Sequence, residues 1–274
     1  RFSSEDAREC LTNRHVLLVG DSVSRYQYLS LAAMLHSTYP ERHGDVNGHR
    51  NIVMPGLVWG SWKTFYLHSS ASFEGRELCD CYRPEGPWNP DFEMRTEENR
   101  FFSLPTHNLS VSYLQVFGGF PLHGHFPGRC RGVSGGALQC SVANMTAAAR
   151  AGAAHVLTSE EYDSNPFLDT HEFFDWHGDL PTVLEHVVPS MQVDTLVLNS
   201  GLWGELSDVD LVDAVFDVAN RTMARTAGAR RLWKRTTSRF KCGNGDRRCG
   251  RSNWARETIG DLVPLAAATR FGWG

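Results

Sequence analysis

The sequence predicts an α/β fold, a three-layer sandwich in which a mainly parallel sheet is flanked by helices. Three observations carry that expectation. Apolar runs of strand length alternate with stretches of helical periodicity along most of the chain. The sharpest strand-to-helix junction falls at Val19-Gly20-Asp21-Ser22. Hydrophobic residues make up 41% of the 274, enough to bury one substantial core.

Val16-Leu17-Leu18-Val19 is continuously apolar, as in parallel strands covered on both faces, so a strand is expected over 15–20. Tyr28, Leu31, Ala32 and Leu35 recur at helical spacing and predict a helix over 23–36. A strand over 110–117, a helix over 142–151 and a strand over 154–158 continue the alternation. Helices or turns around 181–189, a strand over 195–199, a helix over 207–226 and a strand over 230–236 complete it. Leu211, Val212, Val215, Phe216 and Val218 give the long helix a core-facing side. The segment 43–105 breaks the rhythm, being rich in Gly, Pro, Arg and Glu. It reads as an insertion or minor lobe on one domain spanning 1–274, with strands expected within 58–67 and a cross-linked loop over 79–90. Aromatics concentrate there, Trp59 and Trp62 among them, and their flat faces suit either a core or a sugar-binding groove.

Ser22 is expected at the carboxyl end of a strand, where open α/β sheets place ligands and where the first amides of a helix favour negative charge. A capping role for Asp21 or Ser22 is the plainer reading of Gly-Asp-Ser alone. The Gly-x-Ser-x-Gly elbow of α/β-hydrolases does not fit, because position 24 is Ser.

The longer string Gly20-Asp21-Ser22-Val23-Ser24-Arg25-Tyr26-Gln27 resembles the first block of the PC-esterase and trichome birefringence-like group of SGNH-type hydrolases. Asp194-Thr195-Leu196-Val197-Leu198-Asn199-Ser200-Gly201-Leu202-Trp203 is similar to the group's strand ending in Asn-(Thr/Ser)-Gly-x-Trp, and 231–237 resembles its following strand. The resemblance implies acyl chemistry, usually acetyl, on a glycan: an O-acetyltransferase or esterase working through an acyl-serine, with no cofactor. It implies Ser22 as nucleophile, with its own amide and the Asn199 side chain as oxyanion donors. Gly118 or Gly119 could add a backbone donor, since glycine presents an N–H without steric cost. Arg25, one turn along, either binds an anionic group or is an exposed helix arginine. Trp59, Trp62 and Trp203 are the candidate substrate-binding aromatics.

The group's base is a histidine in a C-terminal Asp-x-x-His, and this chain contains no such quartet; its last histidine is His186. The expectation is a shortened chain or a catalytically silent one, since a serine needs a base to react near neutral pH. His123, His125, His171 and His177 are substitutes, with His177 the leading one. Two rival functions follow: a silent glycan-binding or interaction protein, and a metal-dependent hydrolase using His171-Glu172-x-x-Asp175.

A net charge of −4 with scattered basic residues does not announce nucleic acid, and no apolar run reaches the ~20 residues of a membrane span. Seven cysteines accompany glycosylation sequons at Asn108, Asn144 and Asn220, pointing to the secretory pathway, Golgi lumen or extracellular space. Cys242 is expected to pair with Cys249. Cys79 and Cys81, judged too close to bond each other, are expected to reach Cys130 and Cys140, leaving Cys10 over.

Overall fold

The computed structural model describes residues 3–36, 61–83, 97–116, 122–124, 129–133, 137–141, 158–164, 176–199, 209–234 and 266–273. The helix expected over 142–151 and nearly all of the strand expected over 154–158 lie outside them. In chain order the first half comprises α1 (Ser4–Leu11), β1 (His15–Gly20), α2 (Ser22–His36), α3 (Trp62–Ala71), β2 (Glu77–Tyr82), β3 (Glu97–Leu104) and β4 (Leu109–Gln115). Then come β5 (Leu122–Gly124), β6 (Arg129–Val133), β7 (Ala137–Ser141), α4 (Ser159–Ser164), β8 (Trp176–Gly178), α5 (Leu180–His186), β9 (Thr195–Leu198), α6 (Val209–Met223) and β10 (Arg230–Trp233).

Six strands form one sheet in the order β10-β9-β1-β4-β3-β2. β10, β9, β1 and β4 run parallel, while β3 is antiparallel to β4 and β2 antiparallel to β3. The sheet is therefore mixed. Helices cover both faces, and the alternation of β1 shows how. Leu17 and Val19 join Leu196, Leu198 and Leu114 in packing against Val183 and Leu184 of α5 and Val212, Val215 and Phe216 of α6. Val16 and Leu18, pointing the other way, join Val111 and Phe102 against Tyr28, Leu29 and Ala32 of α2 and Phe65 of α3.

Three expectations about residues 43–105 change. The segment supplies β2 and β3 to the central sheet. Where strands were expected within 58–67, α3 begins at Trp62. Ser61 starts it by accepting from the Thr64 amide at 3.1 Å, and Phe65, Tyr66, Ser69 and Ser70 form its buried side. Where a loop was expected from Cys79, residues 77–82 are strand. The Cys79 and Cys81 side chains form a close pair with each other, where the sequence led us to expect them to reach Cys130 and Cys140. Residues two apart on a strand share a face, and the 5.2 Å between these Cα atoms is within disulfide reach. Cys130 and Cys140 stand opposite one another in the register of β6 and β7. Cys10 is exposed and free; Cys242 and Cys249 lie outside the described residues.

A short helix at 266–270 brings Trp273 back onto α6, where it meets Phe216 edge-on at 4.7 Å between ring centroids. Among the described residues no helix is long and apolar enough to cross a membrane.

Candidate functional site

The chain leaves β1 for β4 on one side and returns to β9 on the other, which makes the carboxyl end of β1 a topological switch point. Register brings four strand ends to one rim: Gly20 pairs with Gln115, Val19 with Leu198, and Leu198 with Trp233. Asp21-Ser22, Val116, Asn199 and Lys234 follow immediately.

Asp21 is the cap of α2. Its Oδ1 accepts from the Val23 amide at 2.8 Å and the Ser24 amide at 3.4 Å, and its carbonyl accepts from the Arg25 amide at 3.0 Å. The carboxyl group is wholly buried. Capping by Asp21 leaves Ser22 as the first helical residue, half-buried, with an N–H that has no intrahelical acceptor. Gly20 is required by close packing. A Cβ there would collide with Ser24 Oγ and with the Asn199 carbonyl, which as backbone has nowhere to retreat. Asp21 Oδ2, Ser24 Oγ and Asn199 Oδ1 are buried with no hydrogen-bond partner among the described residues.

Asn199 is fixed at both ends. Its N–H donates to the Val19 carbonyl at 2.9 Å and its Nδ2 to the Lys234 carbonyl at 2.7 Å. One amide hydrogen therefore ties the end of β9 to the end of β10, and only the second remains for a ligand.

Arg25 is neither an exposed helix arginine nor a free anion binder, because its helix face is the buried one that also carries Tyr28, Leu29 and Ala32. The guanidinium, 1% exposed, is ion-paired with Glu98, donates to Gln115 Oε1 at 3.3 Å and lies 5.1 Å from the centre of the Trp62 ring. Arg100 Nε donates to Glu98 at 2.7 Å, and its other nitrogens reach Glu77 at 3.0 Å and Ser69 Oγ at 2.9 Å. Tyr28 donates to Glu77 at 2.8 Å and Tyr66 to Glu98 at 3.3 Å. Two cations and two anions are thus sealed together between the sheet, α2 and α3. Burial pushes the Glu77 carboxyl up, with Arg100 and the Tyr28 hydroxyl pulling the other way. Burial also works against the charge on Arg25 and Arg100, but Glu98 beside the first and Glu77 and Glu98 beside the second hold both guanidiniums protonated.

Tyr113, on β4, completes the floor beneath the rim, its hydroxyl 3.0 Å from the carbonyls of both Gly20 and Asp21. Sequence reasoning passed over Tyr113, Glu77, Glu98, Arg100 and Lys234. The signal for Glu98 and Arg100 was their alternation with Asn99 and Phe101 on a segment of strand length, obscured by its charge.

Trp62 is half-buried, with the Arg83 guanidinium 4.0 Å from its ring centre. Gly118, Gly119, Trp59, Trp203, His125, His171 and Asn144 lie outside the described residues. His123 and His177 stand opposite each other in the register of β5 and β8. Of the sequons, Asn108 is exposed in a left-handed turn (φ 47°). Asn220 is committed to structure: its Oδ1 accepts from Arg231 at 2.7 Å and from Trp273 Nε1 at 2.9 Å, and the buried Thr222 hydroxyl donates to the Leu184 carbonyl.

Comparison of the chain with family models, curated proteins and solved structures returned no match.

Proposed function

We propose that the protein carries an acyl group, acetyl in the first instance, on Ser22 and passes it to a sugar hydroxyl or to water, in the manner of the SGNH-type group its sequence motifs resemble. The observation that supports this most is the placement of Ser22: a half-buried serine on the first residue of a capped helix, at the switch point of the sheet. Ser22 Oγ attacks the carbonyl carbon of an acyl donor while its proton passes to a base. That base is proposed to be a histidine. The tetrahedral oxyanion is met by the Ser22 N–H and the uncommitted hydrogen of Asn199 Nδ2, donors that need not reorganise as charge develops. The donor's alkoxide or phenolate leaves and takes a proton. In the second half-reaction a glycan hydroxyl or water attacks the acyl-serine, and the same base accepts and returns the proton.

The partners of this reading are a glycan acceptor and an acyl donor, with no cofactor. The setting is secretory.

The test is intact-mass spectrometry of the full-length protein incubated with p-nitrophenyl acetate. One acetyl group is expected on the wild type and none on Ser22→Ala, whose melting temperature should match the wild type. An adduct that persists on Ser22→Ala would overturn the assignment.

A further inference from the structure

We propose that Tyr113 is a positioning residue for the oxyanion donor: its hydroxyl holds the Asp21–Ser22 peptide so that the Ser22 N–H faces the incoming acyl group. The inference rests on the reading that Ser22 carries that group.

A peptide unit is a rigid trans plate, with its C=O and its N–H projecting from opposite edges. The Asp21 carbonyl and the Ser22 N–H belong to the same plate. Whatever grips the carbonyl therefore aims the amide. The Arg25 amide grips it from within the helix at 3.0 Å, and the Tyr113 hydroxyl grips it from the sheet, also at 3.0 Å. Two contacts from different elements prevent a rotation that one would permit. The same hydroxyl lies 3.0 Å from the Gly20 carbonyl, so its single proton is shared between the two carbonyls that precede Ser22.

Packing alone does not call for this hydroxyl. Tyr113 faces the α2 layer opposite Leu18 in register, with its ring 6.1 Å from that of Tyr28, and a phenylalanine would fill the same place. Nor do the carbonyls need it for satisfaction, because the Gly20 carbonyl already accepts from the Val116 amide at 2.9 Å and the Asp21 carbonyl from Arg25. A phenol taken out of water needs partners, and this one has been given the two carbonyls that flank the nucleophile turn. Burial also pushes the ionisation of this hydroxyl well above the ordinary tyrosine range, so it remains a donor near neutral pH.

The experiment compares Tyr113→Phe, Tyr28→Phe and Ser22→Ala with the wild type in the full-length protein. Tyr28→Phe removes a neighbouring buried hydroxyl that serves Glu77 and touches nothing in the turn. For Tyr113→Phe, the rate constant of acyl-Ser22 formation from p-nitrophenyl acetate is expected to fall about tenfold or more with KM within about twofold. Affinity for phenylboronic acid, which forms a tetrahedral anion on a serine oxygen, should fall by a similar factor. Tyr28→Phe should lower the melting temperature yet leave acylation and boronate binding near wild type. Wild-type acylation and boronate affinity in a folded Tyr113→Phe would overturn the positioning role while Ser22 stands. Acylation persisting on Ser22→Ala would remove the reading beneath it.

Discussion

Arg25 shows how one side chain can be misread when its partner is 73 residues away. On the sequence it sits beside Ser22 in a motif and looks available to a substrate. In the fold it is sealed under α3 and spent on Glu98. Nothing local distinguishes the two cases, because desolvation is decided by β3. Removing one member of a buried pair strands the other, so Arg25→Met should destabilise the protein by about 3–5 kcal/mol, read as a lowered urea midpoint with an unchanged slope. A loss under about 1 kcal/mol would mean that water reaches the pair. Ser22 was legible for the opposite reason. Its placement depends on the run before it and the periodicity after it, and both are contiguous in the chain.

At the scale of elements, the same division holds. β1 and α2 could be read because an unbroken apolar run and a helical repeat are local signals. β2 and β3 could not, since Glu77, Glu98 and Arg100 are interior residues of the kind ordinarily found on surfaces. α3 was hidden by aromatics that suit strands as readily as helices, its decisive feature being the Ser61 cap. The junction of β1 with β9 also sets a limit on substitution. Gly20→Ala should cost about 1–3 kcal/mol through overpacking against Ser24 and the Asn199 carbonyl, measured by thermal melting. Ser24→Ala in the same background should recover only part of the loss, because the carbonyl stays in place.

The whole molecule responds to pH through its interior phenols. Burial pushes the pKa of Tyr28, Tyr66 and Tyr113 above the ordinary tyrosine range, with Glu77 adding to the first and Glu98 to the other two. In the unfolded chain a tyrosine ionises near pH ~10. The folded-state values lie above that, so the stability these groups contribute is complete below about pH 10 and is lost as pH climbs past it. Urea midpoints should hold steady through mildly alkaline buffers and then drop, with phenolate absorbance from the buried tyrosines appearing only as the protein unfolds. Phenolate absorbance that rises smoothly ahead of unfolding would count against their burial.

The four sealed charges also constrain descent. Arg25, Arg100, Glu77 and Glu98 come from three different elements, yet each is tolerable only because the others are present. A lineage that lost one would have to survive with an uncompensated ion in its interior before the remainder could follow. These positions should therefore be inherited as a set, replaced together by apolar residues or kept together, and relatives of this chain should seldom carry three of the four.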